Sequence, residues 1–167
     1  MKFNSLSRNN IILLEEMLEN QRLLKLIDYN ETNPYEQPDI NNTARLINNK
    51  IKPKPFTNVP TDYNVEVTAF FPDGDLEQRV VLGSVVLFQV VVPDKLWLIT
   101  EKKETEEGEE VTCRKIRPYE IMSEIMEVFN EKSIKTVGKL KFTHYSYEPI
   151  NKDYGMYTLE AEMMSLS

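Results

Sequence analysis

The sequence predicts an α+β fold: a mainly antiparallel sheet, an N-terminal amphipathic helix and a second helix at about 118–131 packed on one face, and a long acidic hairpin loop. Three observations carry that expectation. Apolar residues recur at three-or-four spacing in two segments. They alternate with period two in several others, and neither βαβ alternation nor an internal repeat demands a parallel sheet or a solenoid.

From Ser7 to Ile27, the residues Ile11, Leu14, Met17, Leu18, Leu24 and Ile27 recur at largely three-or-four spacing with Glu15, Glu16, Glu19 and Gln21 between them and no Pro or Gly, so one amphipathic helix capped by Ser7 is expected. Asn30, Asn33, Pro34 and Pro38 oppose further helix, making Tyr29 to Pro38 a loop, and a short second helix is expected from Asn42 to Asn49. Ile51 to Pro60 holds Pro53, Pro55 and Pro60, each lacking a backbone donor, and reads as an extended edge or rigid connector.

Val65, Val67, Ala69 and Phe71 alternate with Glu66 and Thr68, giving a strand from Asn64 to Phe71 that the turn residues Pro72, Asp73, Gly74 and Asp75 should end. Arg79 to Val92 is β-branched and almost continuously apolar, as a central strand bent at Gly83 would be. Leu96 to Thr100 continues as a strand after Pro93 and Asp94, and Val111 to Ile116 pairs with it across the Glu-rich loop.

Pro118 suits a first helical position, and Ile121, Met122, Ile125, Val128 and Phe129 make one stripe of a helix running to Glu131. Glu120, Glu124, Glu127 and Glu131 line another face. Lys139 to Tyr147, with Leu140, Phe142 and His144 on one side, and Met156 to Met164 then form a closing hairpin.

The 167 residues suit a single domain, 1–167, with a helical and proline-bearing part at 1–60, strands and acidic hairpin at 61–116, and helix plus closing hairpin at 117–167. An apolar share of 41% and a charged share of 28% are those of a folded globular chain. The longest apolar run, Val85 to Val92, is interrupted by Gln89 and closed by Pro93, so no membrane span is expected. Ile11 to Leu14 gives way at once to Glu15 and Glu16 without a cleavage pattern, so nothing marks the chain for secretion.

The net charge of −7 disfavours gripping nucleic acid, because each neutralised phosphate needs a Lys or Arg. The acidity sits in the middle: eight basic residues face seven acidic ones over 1–60, six face twelve over 61–116, and six face eight over 117–167. Glu101, Glu104, Glu106, Glu107, Glu109 and Glu110 supply much of it. Three readings stand for this loop: a solvated hairpin tip, a repulsive lining for a channel that DNA traverses, or an acidic surface for a basic partner.

No catalytic, cofactor-binding or metal-binding set emerges. His144 is the sole histidine and Cys113 the sole cysteine, so neither a disulfide nor a cysteine-based zinc site can form within the chain. Arg114 and Lys115 follow Cys113 directly, but no positioned partner is visible for it, so Cys113 is expected to be a small strand residue. The five glycines make no phosphate-cradling pattern and no serine sits in a nucleophile elbow. Trp97 and Tyr119 are either core corners or interface anchors, and Arg117 bonds either a neighbouring subunit or a local carboxylate.

The run Asp94 to Ile99, followed by Arg117, Pro118, Tyr119, Glu120, Ile121 and Met122, resembles the strand and helix core of tailed-phage tail terminator proteins, also called tail completion or neck proteins. The likeness extends to Leu23, Leu24, Tyr29 and Asn30, to Pro34 to Ile40, to Lys52 to Phe56, and to Gly138, Lys139, Leu140 and Tyr157. Against that pattern Lys102 to Val111 looks like an insertion.

The resemblance implies a structural virion protein of the tail or neck, assembled in the host cytoplasm, with no catalysis and no cofactor. Its subunits would form a ring, hexameric in the family, that caps the tail-tube protein, meets the head-tail connector or stopper, and lets genomic DNA pass without specific binding. Arg117, Tyr119 and the six glutamates are the expected interaction residues. The competing expectation is an acidic DNA mimic that inhibits a nucleic-acid-binding enzyme.

Overall fold

The structure, a computed structural model, describes residues 1–58, 62–130 and 132–164. Pro60 and Glu131, invoked above, lie outside the described residues. In chain order the elements are α1 (Ser5–Leu18), α2 (Gln21–Asp28), β1 (Ile51–Lys52), β2 (Glu66–Glu77), β3 (Val80–Pro93), β4 (Leu98–Glu104), β5 (Glu110–Ile116), α3 (Arg117–Phe129), β6 (Lys139–Pro149) and β7 (Tyr154–Met164). Five strands form one sheet of order β1-β2-β3-β7-β6, antiparallel except where β1 lies parallel to β2, and β4 pairs with β5 apart from it. The fold is α+β, as the patterning predicts.

Period-two alternation places Val67 and Ala69 of β2, Val86, Phe88 and Val90 of β3, and Leu159 and Ala161 of β7 on the face that meets the helices. Leu13, Leu14 and Met17 of α1, Leu23, Leu24 and Ile27 of α2, and Ile121, Ile125 and Phe129 of α3 close over it. Phe88 and Phe129 meet with ring centroids 5.3 Å apart. Each of the Val, Leu, Ile, Met and Phe side chains among these contributes about 1.5–3 kcal/mol by leaving water, which makes this layer the main source of stability.

On the other face Val91, Tyr154 and Met156 form a small second cluster covered by Phe56 and Ile150. The segment after β1 reaches it because the Phe56 N–H donates to Gln89 Oε1 at 2.7 Å. This explains why β3 reads as apolar on both sides near its end.

Five expectations are corrected. The single N-terminal helix is two, because Asn20 is extended and its Oδ1 accepts the Leu23 N–H at 3.0 Å, capping α2 afresh. Ser7 is not the cap of α1, which begins at Ser5. The helix expected at Asn42 to Asn49 is a 3-10 turn, Thr43–Leu46, followed by Asn48 at a φ of 62°, which no continuing helix adopts.

Pro72 to Asp75 does not end its strand. A register shift between Phe70 and Asp73 absorbs Pro72 where no ladder donor is needed, and β2 runs on to a turn at Gln78, whose φ is 55°. Gly74 allows the pairing, since a Cβ there would collide with the Gly83 carbonyl oxygen. In β6 a second shift between Phe142 and His144 turns His144 away from the helices and brings Tyr145 and Tyr147 onto their side.

Candidate assembly surface

Arg117 follows Ile116 directly from β5 into α3, and Pro118 in the first turn fixes that entry. Its side chain is wholly buried, at 0% exposure. The guanidinium donates to the carbonyls of Leu96 at 2.8 Å and of Leu26, Tyr29 and Glu31 at 2.7 Å each. No carboxylate oxygen bonds it among the described residues. Burial pushes the guanidinium down to about 10, which still leaves it protonated at neutral pH, and the end of α2 offers carbonyls whose dipole favours a cation. Arg117 is therefore a staple inside one chain and presents nothing to a neighbouring subunit, which corrects its expected surface role.

The β4–β5 hairpin is longer and narrower than the expected loop. Strand pairing runs from Leu98↔Ile116 to Glu104↔Glu110, leaving only a tip at 105–109. The Thr105 N–H donates to the Glu109 carbonyl at 2.7 Å, and Gly108, at a φ of 80°, donates to the Thr105 carbonyl at 2.9 Å. Glu104, Glu106, Glu107, Glu109 and Glu110 are exposed.

Glu101 behaves differently from the other five. It is buried at the hairpin base, where Oε1 pairs with Arg22 at 2.9 Å and Oε2 with Lys115 at 2.7 Å. Arg22 also pairs with Glu124 at 3.0 Å, Lys115 with Glu120 at 2.9 Å, and Tyr35 donates to Glu120 at 2.9 Å. The Arg22 guanidinium stacks 4.0 Å over the Tyr35 ring. Burial alone would raise the Glu101 carboxyl, but the bonds from Lys115 and Arg22 outweigh it and hold that carboxyl below the usual carboxylate range. Together with the Thr100 N–H, which donates to the Thr32 carbonyl at 2.6 Å, this network fixes the direction of the hairpin. Glu101 thus belongs to the anchor, a correction to its expected place on the interaction surface.

An aromatic surface lies beyond α3. Tyr119, Tyr145 and Tyr147 are 51%, 62% and 48% exposed and cluster around Tyr157. Tyr157 donates to the Tyr119 hydroxyl at 3.0 Å, and burial with that bond pushes the Tyr157 phenol up to about 12. Trp97 is half-buried beside them, its Nε1 donating to the Val92 carbonyl at 3.2 Å. Tyr119 is thus where an interface anchor would stand. Tyr145 and Tyr147 were not anticipated, although two tyrosines at i and i+2 within the polar run Thr143 to Glu148 were a visible signal.

His144 is exposed on β6 and Cys113 half-buried on β5. Among the described residues no group of three or more His, Cys, Asp or Glu is gathered as a metal site requires, and no helix is long and apolar enough to cross a membrane.

Matched against known families, the model YomW covers residues 20–163, from the Asn20 cap to the penultimate described residue of β7. The chain belongs to the YomW family. No curated protein matches it. In this YomW chain the matched span includes Arg117, all four carbonyls it binds, and both arms of the acidic hairpin, while α1 precedes it.

Proposed function

We propose that this chain is a tail terminator or neck subunit, a structural virion protein that closes into a ring on the tail tube and joins it to the head connector. One observation carries the reading: the residues that bear the resemblance work as a single mechanical unit. Arg117 opens α3 and ties Leu96, within the Asp94 to Ile99 run, to the end of α2 and to the Tyr29 to Glu31 loop. A rigid subunit of this kind suits an assembly role, where shape is the function. Ring closure by a head-to-tail interface caps a polymer that would otherwise continue.

In that ring the exposed glutamates at 104–110 repel the phosphate backbone over a Debye length of about 8–10 Å, so DNA slides past without adhering. Tyr119 and its aromatic neighbours offer the kind of surface that buries against another protein. The DNA-mimic reading is weakened, because Glu101, Glu120 and Glu124 neutralise Arg22 and Lys115 instead of adding to a continuous acidic face.

The test is mass measurement and negative-stain imaging of the purified protein, alone and mixed with tail tubes. Rings of uniform mass seated on tube ends are expected. A chain that remains monomeric in solution and leaves tube ends bare overturns the proposal.

A further inference from the structure

Two free strand edges stand on opposite sides of the sheet. Beyond Phe70 the β2–β3 hairpin projects as an arm, with residues 72–80 exposed, and β1 covers β2 only at Val67 and Thr68. The other edge is β6, which pairs with β7 on one side, is bridged on the other by Asn130 at Leu140, and lies open beyond that point, exposed over most of its length. Such an edge invites another strand.

The two edges carry opposite charge. Asp73, Asp75 and Glu77 lie on the arm, and none forms an ion pair among the described residues. Lys132, Lys135, Lys139 and Lys141 lie on or just before β6 and are likewise without an ion pair among the described residues. Each edge also bears exposed apolar surface, Leu76 on the arm and Tyr145 and Tyr147 on β6. Lysines on an open edge repel an indiscriminate strand, and an acidic strand is the one that neutralises them.

Strand direction agrees. β2, β3, β7 and β6 alternate up, down, up, down, so β6 runs antiparallel to β2. A second copy in the same orientation, related by simple rotation, therefore brings its β2 antiparallel to the first copy's β6, with both sheets facing the same way. The faces match too. Asp73 sits opposite Val85 and Asp75 opposite Gly83, on the side turned from the helices, and Lys141 sits opposite Glu162 on that same side. A ladder on the open part of β6 that sets Tyr145 beside Phe71 and Tyr147 beside Ala69, the first β2 residue that β1 leaves uncovered, brings Asp75 and Glu77 level with Lys141 and Lys139, where Asn130 already holds Leu140 and the contact is made by the side chains.

We infer that copies of this chain join by strand addition, the acidic β2–β3 arm of one copy laid antiparallel on the lysine-bearing β6 edge of the next. The inference rests on the ring reading and names its contact. A head-to-tail joint of this kind repeats around an axis and closes.

Charge reversal tests it on the full chain. Asp75→Lys with Glu77→Lys alters only the arm, and Lys139→Glu with Lys141→Glu only the edge. Each variant alone should raise the concentration for half-assembly by about tenfold or more, and an equal mixture of the two should assemble again, because each arm then meets a complementary edge. In the unmutated ring, amide hydrogen exchange should slow at 69–77 and 139–147. Rings that form equally well in both variants, or assembled rings with unchanged exchange in those segments, overturn the arm contact and leave the ring reading standing. An unmutated chain that never assembles, alone or on tail tubes, overturns both.

Discussion

The Arg117 guanidinium donates to the Leu26 carbonyl oxygen at 2.7 Å across 91 positions of sequence, so the start of α3 is fastened to the end of α2 by one buried side chain. Three further carbonyls share the same cation. Replacing Arg117 by Met fills the volume but takes the donor from four carbonyls, of which those of Leu26 and Leu96 are bonded in the buried interior. A loss of about 3–5 kcal/mol is expected. Arg117→Lys should lose about half of that, since an ammonium cannot fan its donors to four directions. Urea denaturation of both variants measures it, and a midpoint unchanged in Arg117→Met would refute the staple.

Acid should weaken the anchor of the hairpin. The folded pKa of Glu101 lies below its ordinary value of about 4.5, so in the window between them the unfolded chain holds more protons than the folded one. Stability is therefore complete above about pH 4.5 and falls as pH drops through the folded value. Asp28, held low against burial by Arg45 and Lys50, adds to the same trend. Glu101→Gln should be about 1 kcal/mol less stable at pH 7 and show a shallower decline toward pH 3, read as melting temperature against pH.

Gly74 sets the shape of the arm. A Cβ there meets the Gly83 carbonyl oxygen, a backbone atom that moves only if the hairpin deforms. Gly74→Ala should cost about 1–3 kcal/mol locally. Amide exchange should quicken at 73–84 while the β6–β7 amides keep their rates. An undisturbed arm in the variant would show that the close approach is not required.

Neutralising the hairpin tip should leave the fold intact. Glu104, Glu106, Glu107, Glu109 and Glu110 are exposed, so changing all five to Gln should shift stability by no more than about 0.5 kcal/mol per site. Phage carrying that protein should eject DNA more slowly at low salt, with the difference shrinking as salt rises. Ejection and head-to-tail joining that match the unmutated phage at every salt concentration would leave the tip with no role beyond solvation.

The sheet, the closing hairpin and α3 were legible because their apolar periods are local: Val65, Val67 and Ala69 alternate, and Ile121, Ile125 and Phe129 recur, whatever lies elsewhere in the chain. The reach of β2 was not. Pro72 to Asp75 has turn chemistry, and only the partner strand, through a bulge and the bare Gly74, makes it extended. The split of the first helix at Asn20 was readable in principle, since Asn before a fresh apolar run is a cap.

For the surface residues the difficulty was one of partners. A sequence shows six glutamates alike, yet Glu101 is withdrawn by Lys115 on the paired strand and by Arg22, 79 positions away along the chain. Arg117 was expected to bond a neighbouring subunit or a local carboxylate, because the carbonyls that receive it carry no side-chain label.

The hairpin held at its base and free at 105–109 gives experimenters a handle. A short epitope or a fluorophore placed between Glu106 and Gly108 enters where backbone bonds are few, at the kind of loop tip where insertions are tolerated. Because the Arg22, Lys115 and Tyr35 network orients the stalk, the added density would appear at a fixed bearing from the core. In an imaged particle it would report which way each copy points.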